Sequence, residues 1–309
     1  MKLAAHCYSK VKKDCFKYLK SQETKTDKFK NKERMIKSFL IPLCFWISAK
    51  AEKKRPYFVG LAGGQGTGKT TISSLIKIIL SKYFKLKVFR ISIDDFYKTR
   101  KERISLSKRV HPMLLTRGVP GTHDINMMLS FFKKAKSKKF KRLKLPSFNK
   151  AIDDRFNKKK WYDLKNQPDV IIFEGWCVGA KSEKKDTLKK TINFMEKTKD
   201  QKQIWRKYVN QQLKSKYRNL YSQLDCLIFL KAKSFNLLQK WRLKQERKLR
   251  MQSKNKLKSK IMNNEDVLNF MQTYQRITQN MFKNTSKYAS VILNLNTNHQ
   301  IKSAVYKRK

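Results

Sequence analysis

The residues best suited to chemistry begin at Gly63, where GGQGTGKT (residues 63–70) follows the pattern G-x-x-x-x-G-K-T. This pattern is typical of a loop that binds the phosphates of a nucleoside triphosphate. Glycines let successive backbone N–H groups approach phosphate oxygens, which a Cβ would prevent. The spacing predicts that Lys69 bridges the β- and γ-phosphates and that the Thr70 hydroxyl binds Mg²⁺. The predicted ATP-binding residues are Gly63, Gly64, Gln65, Gly66, Thr67, Gly68, Lys69, Thr70 and Thr71.

Two acidic positions follow apolar stretches and could complete the chemistry of this site. Asp94 precedes Asp95 at the end of one stretch, and either a general base for an attacking hydroxyl or a helix cap fits this place. Glu174 ends another stretch, where an acid can hold Mg²⁺ directly or through water, although an incidental exposed Glu is the alternative. The sequence therefore predicts either a catalytic base or a cap at Asp94 and Asp95, and Thr70 with Glu174 as the metal-binding pair.

Two stretches farther along combine basic, imidazole and carboxylate groups, namely HPMLLTRGVPGTHD (residues 111–124) and FNKAIDDR (residues 148–155). Arg117 and Arg155 could each hold a carboxylate through two parallel hydrogen bonds, or could form surface salt bridges. The histidines could contact a substrate or serve as structural hydrogen-bonding groups. The predicted substrate-binding residues are Asp95, Tyr97, His111, Arg117, His123, Asp124, Lys150 and Arg155.

A later stretch, WRLKQER (residues 241–247), is compatible with a helix. Arg242 and Glu246 stand four residues apart and could pair with each other. Alternatively, Arg242 belongs to a lid and reaches the phosphoryl group in transfer. With Arg242 included, the predicted catalytic residues are Lys69, Asp94, Glu174 and Arg242.

The elements that must position these groups show a strand–helix rhythm. Five apolar runs suit buried parallel strands, and the first three end at the groups above, as expected when ligands bind at the carboxyl ends of strands. The sequence therefore predicts an α/β fold, a three-layer sandwich of the P-loop type with a mostly parallel five-stranded sheet, a helical N-terminal extension and a lid. The five runs are Tyr57–Leu61, Val88–Ile93, Val170–Phe173, Cys226–Leu230 and Val291–Leu295.

The chain divides into a basic helical N-terminal extension (residues 1–54) and a nucleotide-binding domain (residues 55–309). Within that domain, residues 98–168 are too long for a plain crossover and are interpreted as a substrate-binding insertion. Apolar residues recur at helical spacing from Met35 to Ile47, with a kink or restart expected at Pro42. We expect this helix to pack on the core, with an interfacial membrane helix as the alternative.

Composition limits the possible partners. The 309 residues include 75 Lys+Arg and 22 Asp+Glu, a net charge of +53, which fits either a polyanion-binding protein or a lysine-rich solvated surface. Because lysine is spread along the whole chain, we favour the second interpretation and expect no specific nucleic-acid partner. Five cysteines without C-x-x-C spacing predict a reducing cytoplasmic location. The apolar run Phe39–Ala49 is too short to span a bilayer.

The chain resembles the D-glycerate 3-kinase family of P-loop kinases, which is similar to the uridine kinase, pantothenate kinase and phosphoribulokinase group. GGQGTGKT, ISIDDFY, HPMLLTRGVPGTHD, LPSFNKAIDDR, VIIFEGWCVGA and KWRLKQE occur in the family's order between about Tyr57 and His299. The resemblance implies that Asp94 is the base of a D-x-F-Y pattern and that Glu174 is the Walker B acid. It implies ATP and Mg²⁺ as cofactors and a small hydroxy acid as substrate, with D-glycerate giving 3-phosphoglycerate. A related kinase for a nucleoside, pantothenate or a sugar phosphate is the alternative, and a nucleic-acid-binding ATPase is suggested only by the charge.

Overall fold

The computed structural model describes residues 2–25, 27–252 and 262–307. Its centre is a six-stranded sheet with the order β10-β9-β8-β1-β7-β2, beside two small two-stranded sheets. The strands are β1 (Tyr57–Gly63), β2 (Val88–Ser92), β3 (Leu143–Leu145), β4 (Phe148–Asn149), β5 (Asp154–Arg155), β6 (Tyr162–Leu164), β7 (Val170–Gly175), β8 (Cys226–Lys231), β9 (Val291–Leu295) and β10 (Ile301–Tyr306).

The predicted α/β class with a mostly parallel sheet is confirmed, and the five predicted runs form β1, β2, β7, β8 and β9. A sixth strand, β10, runs antiparallel to β9 and was not predicted. Its sequence, IKSAVY, is interrupted by Lys302 and Ser303, and only Ile301 of the strand is buried. β10 is an edge strand, so a search for continuous apolar runs overlooks it.

Helices cover both faces of the sheet, because alternate strand residues point to opposite sides. Val59 and Leu61 of β1 join a core with the N-terminal helices, whereas Phe58 joins a second core with the helices of the insertion. The helices are α1 (Lys2–Ser21), α2 (Lys32–Arg34), α3 (Ile41–Lys53), α4 (Lys69–Lys82), α5 (Arg100–Arg109), α6 (Ile125–Ala135), α7 (Phe194–Lys199), α8 (Ile204–Gln212), α9 (Arg218–Tyr221), α10 (Phe235–Gln252) and α11 (Asn264–Asn284).

The N-terminal extension shares the core of the sheet. Cys7, Val11 and Leu19 of α1 are fully buried in the same apolar cluster as Leu75 of α4. A π-helical segment, Met35–Leu40, leads directly into α3, so the chain stays helical through Pro42. Proline lacks the N–H that a regular helix needs at this point, and the widened π-helical turn lies just before it.

The insertion between β2 and β7 contains α5, α6 and two small antiparallel sheets. Phe131 and Phe132 of α6 pack on the sheet, while the pair β4–β5 carries the FNKAIDDR stretch. These elements place the insertion beside the carboxyl ends of the strands.

Within the described residues, no helix is both long enough and apolar enough to cross a membrane.

Candidate active site

The phosphate loop joins β1 to α4 at the carboxyl edge of the sheet. Gly68 has a left-handed backbone conformation (φ 83°) and immediately precedes Lys69, the first residue of α4. The Lys69 ammonium donates a hydrogen bond to the Gly64 carbonyl oxygen at 3.0 Å. Burial lowers the pKa of Lys69, an effect that the nearby Glu174 and Asp94 carboxylates oppose. The loop therefore presents a lysine and a helix N-terminus at one place, which suits an anion.

Helix α10 packs directly against this loop. A Cβ at Gly64 would lie 2.3 Å from Leu238 Cδ1, and one at Gly66 would lie 3.0 Å from Trp241 Cβ. Gln65 to Thr71 line a cleft with α10, whereas Gly63 and Gly64 are buried. All nine predicted ATP-binding residues thus belong to this loop or to the start of α4.

Glu174 lies in β7 beside the phosphate loop, since it pairs in register with Leu61 of β1. Its carboxylate accepts hydrogen bonds from Thr70 Oγ1 at 3.2 Å and from Ser73 Oγ at 3.4 Å. Burial raises the pKa of Glu174, and the charges of Lys69 and Arg90 counteract this increase. The two predicted metal-binding groups are therefore in direct contact.

Arg90 is a residue of this end that the sequence analysis missed. It is in the middle of β2 and donates to the Thr70 carbonyl oxygen at 2.8 Å and to Ser73 Oγ at 3.1 Å. Its position was a usable signal, because a charged residue within an apolar strand needs a partner. Arg90 holds the first turn of α4 and contributes positive charge near Glu174.

The adjacent aspartates differ in what they contact. Asp95 Oδ2 accepts from the Ser92 backbone N–H at 3.2 Å, and Ser92 Oγ accepts from the Asp94 N–H, as in a capping box. Asp94 instead accepts from Tyr97 OH at 2.9 Å and from Lys150 Nζ at 2.8 Å, and it lines the cleft. The cap contact of the carboxylate therefore falls on Asp95, and the role of Asp94 as a base stays a prediction.

The electrostatic environments of the two aspartates also diverge. Burial acts to raise the pKa of Asp94, but the charge and hydrogen bond of Lys150 outweigh it and hold that pKa well below its usual range. Burial raises the pKa of Asp95 to about 6, with partial compensation from the Ser92 hydrogen bond. Asp94 is thus an ionised acceptor at neutral pH.

Two arginines share the carboxylate of Asp153, and of these three residues Arg117 and Asp153 line the cleft. Arg103 is fully buried and donates to the Asp153 carbonyl oxygen at 2.5 Å and to the Leu115 carbonyl oxygen at 2.6 Å. Its guanidinium also pairs with Asp153 Oδ2 at 3.0 Å, while Arg117 pairs with Asp153 Oδ1. Arg117 further lies 5.4 Å from the Phe148 ring centroid. Neither Arg103 nor Asp153 was singled out in the sequence.

The two predicted substrate-binding histidines, His111 and His123, lie outside the cleft lining. His111 begins a short 3₁₀ helix, where its Nδ1 accepts from the Met113 N–H at 3.3 Å. His123 is 1% exposed, its ring stacks on Tyr97 at 4.5 Å, and its Nδ1 lies 2.6 Å from Tyr217 OH. Burial lowers the pKa of His123 to about 4 despite the nearby Asp94 charge. His123 therefore packs against the Tyr97 ring without lining the cleft.

Asp124 and Arg155 also lie next to Tyr97 and outside the cleft lining. Asp124 caps α6 by accepting from the Met127 N–H at 3.0 Å. Arg155 pairs with Asp124 at 3.2 Å and donates to the Tyr97 carbonyl oxygen at 2.8 Å. Of the predicted substrate-binding residues, those that line the cleft are Asp95, Tyr97, Arg117 and Lys150.

Arg242 lines the same cleft from α10. It pairs with Glu246 Oε2 at 2.7 Å and donates to Gln245 Oε1 at 3.1 Å. Glu246 is 4% exposed, so the pair is largely removed from solvent. The structure therefore shows the intrahelical pair, and a contact between Arg242 and a phosphoryl group stays a prediction.

Comparison with known proteins gives related kinases. A protein of Schizosaccharomyces pombe described as an uncharacterized kinase, mug58, is 29% identical over 230 residues, covering 71% of this chain and 79% of that protein. The chloroplastic D-glycerate 3-kinase of Arabidopsis thaliana is 28% identical over 228 residues, covering 71% of this chain and 46% of the plant protein. No family model matches the chain.

Solved structures share the fold. A D-glycerate 3-kinase from Cryptococcus neoformans superposes with a TM-score of 0.71 at 22% identity, covering 87% of this chain and 99% of that one. These similarities confirm the resemblance that the sequence motifs indicated, and with it the prediction of a phosphotransferase.

Proposed function

We propose that this chain, a P-loop kinase similar to the D-glycerate 3-kinase family, phosphorylates D-glycerate with MgATP to give 3-phosphoglycerate. The observation that carries this proposal is the cluster Arg103–Asp153–Arg117 beside the ionised Asp94. Two guanidinium groups face a single carboxylate there, so one positive charge is left to bind an acidic substrate. The same cleft contains the phosphate loop.

A base stands where the acceptor hydroxyl must enter. Tyr97 and Lys150 hold the Asp94 carboxylate, which still has lone-pair capacity because a carboxylate accepts about four hydrogen bonds. Asp94 would take the proton of the attacking hydroxyl as its oxygen approaches the γ-phosphoryl group. Lys150 keeps Asp94 ionised and lies close enough to Arg117 for their charges to interact.

The residues present also fit a magnesium ion. Thr70 and Glu174 supply one hydroxyl and one carboxylate, and among the described residues no group of three or more His, Cys, Asp or Glu side chains could hold a metal. Mg²⁺ usually takes one or two protein ligands and keeps water and phosphate oxygens as the others. When bound, it would neutralise charge on the β- and γ-phosphates.

Lys69 and the phosphate loop act on the donor. The loop's backbone N–H groups and the Lys69 ammonium would fix the phosphates and stabilise the charge that shifts during transfer. In this structure Lys69 donates to the Gly64 carbonyl oxygen, a contact that holds the ammonium within the loop. The absence of a specific nucleic-acid partner and the cytoplasmic location are not needed for this proposal, and both stay predictions.

The proposal is tested by measuring ATP turnover with D-glycerate, uridine, pantothenate and ribulose 5-phosphate as acceptors. We expect ADP release with D-glycerate and, by NMR of the product, phosphate on the third carbon. Arg117→Gln should lower kcat/KM for D-glycerate by about tenfold or more, because a charge-assisted hydrogen bond to the carboxylate is lost. The matched control is Arg109→Gln, at the exposed end of α5. Turnover with another acceptor and none with D-glycerate would sink the assignment.

A further inference from the structure

A segment of the N-terminal extension reaches the cleft of the phosphate loop. Residues 22–25 and 27–31, which we call the strap, connect α1 to α2. Asp27, Phe29 and Asn31 of the strap line the same cleft as Gln65 to Thr71. The strap lies about 30 to 40 residues upstream of the loop, and no motif of the sequence connects the two.

Two contacts tie the strap to the far side of the cleft. Asp27 Oδ1 accepts from Lys244 Nζ of α10 at 2.6 Å. Asn31 Nδ2 donates to Gln300 Oε1 at 3.3 Å, in the turn between β9 and β10. In addition, Lys248 donates to the Gln22 carbonyl oxygen. The strap therefore bridges α10 and the turn after β9, which flank the phosphate loop.

The strap has a built internal structure. Glu23 accepts from the Phe29 N–H at 2.8 Å and pairs with Lys32 at 2.7 Å, and the Asp27 N–H donates to Thr24 Oγ1 at 3.1 Å. Phe29 packs on the apolar core. These contacts fix the segment in place before any ligand arrives, so it can act as a preformed wall.

The direction of the cleft indicates what this wall faces. The acceptor groups Asp94 and Arg117 stand on one side of the phosphate loop, and a γ-phosphate in transfer must face them. The nucleoside must then extend to the opposite side. Asp94 follows β2 and His299 follows β9, and these two strands lie on opposite sides of β1 in the sheet. The ring of His299 stacks on Trp241 at 4.3 Å and lies close enough to Asp27 of the strap for electrostatic interaction.

We infer that the strap forms one wall of the nucleoside pocket, so that the N-terminal extension contributes directly to nucleotide affinity. This inference rests on nucleotide binding at the phosphate loop, and it does not depend on the identity of the acceptor. Lys28 and Lys30, which also line the cleft from the strap, add positive charge on the same wall. The ligand class is a nucleoside di- or triphosphate.

The first test is hydrogen exchange of the full chain with and without MgADP. We expect slower exchange of backbone amides at residues 27–31 when MgADP is bound, and no change in the first two turns of α1. The Lys69→Ala variant at the same MgADP concentration controls for effects that do not require the phosphate loop. Protection of the loop without protection of the strap would overturn the inference.

The second test is MgADP affinity, measured by calorimetry, of the double variant Asp27→Asn, Asn31→Ala. We expect affinity to fall by about threefold to tenfold, since each tie is a partly exposed polar contact. Loss of the Asp27 charge makes the cleft more positive and would by itself tighten the binding of an anion. A weaker affinity therefore reports the lost wall rather than the changed charge.

The matched control is Asp14→Asn in the same extension, since Asp14 pairs with Lys82 at 3.4 Å and does not line this cleft. KM for the acceptor should be the same in the double variant and the wild type. MgADP affinity that is unchanged in the double variant and lost in Lys69→Ala would overturn the strap inference and leave the proposed function standing. A wild-type chain that fails to bind MgADP would overturn both.

Discussion

The two ends of the cleft that we propose to bind the phosphate donor and the acceptor, the donor end and the acceptor end, are built in opposite ways. The donor end is built around a continuous run of sequence, GGQGTGKT, that one strand and one helix hold in place, with Glu174 and Arg90 joining it from β7 and β2. The acceptor end combines Asp94, Arg103, Arg117, Lys150 and Asp153 from separate turns and helices of the insertion. The comparison teaches that phosphate binding is encoded locally, whereas acceptor binding is encoded by tertiary contacts.

The largest effect should come from the base at the acceptor end. Asp94→Asn preserves the shape of the side chain and removes the negative charge, so kcat should fall by about 10²–10⁴ while ATP affinity barely changes. Steady-state kinetics with ATP and D-glycerate varied separately measure both. Asp95→Asn is the matched control, because Asp95 contacts the Ser92 backbone in a cap. A crippled Asp95→Asn enzyme beside a normal Asp94→Asn enzyme would reverse the assignment.

The corresponding change at the donor end is Lys69→Ala. It removes the fixed charge nearest the transferring group, so kcat should fall by about 10²–10³ in a folded protein. Lys82→Ala, at the other end of the same helix and paired with Asp14, is the control for helix stability. Circular dichroism checks the fold of both variants. Normal turnover by folded Lys69→Ala would remove the phosphate loop from the mechanism.

Arg242 can sharpen the boundary between the two ends. If it reaches the phosphoryl group, Arg242→Ala should lower kcat by about tenfold to 10²-fold and affect ATP affinity less. Glu246→Gln removes only its partner in the pair at 2.7 Å and should leave kcat close to that of the wild type. Equal losses in both variants, with a lower melting temperature, would mean that the pair is structural.

The smallest expected effect is on the pH dependence of folding stability, through the Asp95 carboxylate that contacts the Ser92 backbone. The pKa of Asp95 is about 6 in the folded chain against a usual value of 3.8, so the folded state binds this proton more tightly. The stability that Asp95 contributes must then fall as pH rises from about 4 to 6, and stay constant above that. Asp95→Asn lacks this titration.

The melting temperature of Asp95→Asn should therefore rise relative to that of the wild type as the pH increases from 4.5 to 7. Asp186→Asn, on a side chain that is 85% exposed, is the control and should follow the wild type at every pH. A constant difference between Asp95→Asn and the wild type across this range contradicts the raised pKa.

The sequence predicts the strand, turn and helix of the phosphate loop well because this geometry is local. Gly68, Lys69 and Thr70 are fixed by a turn and the first residues of a helix, and the apolar runs around them specify strands by hydrophobic burial. The same holds for Glu174, whose position at the end of an apolar run places it beside β1. These features need no knowledge of distant contacts.

Acceptor-end residues are harder to predict because the same residue types serve as supports. Arg155 and Asp124 have the composition of a binding pair, yet they hold the Tyr97 backbone and cap α6. Asp153 adopts a left-handed conformation (φ 59°) between β4 and β5, and its meeting with Arg103 depends on that turn. Propensity and spacing carry no information on such contacts between residues that are fifty positions apart in the sequence.

The glycines of the phosphate loop reflect more than phosphate binding. The pattern G-x-x-x-x-G-K-T requires glycine only at the positions of Gly63 and Gly68, and Gly64 and Gly66 occupy unrestricted positions. Both lie against α10, where a Cβ would meet Leu238 and Trp241. Gly66 in addition has a positive φ of 77°, which L side chains rarely adopt. Glycine at these two places therefore reflects the packing of α10, more than 170 residues along the chain, together with the turn at Gly66.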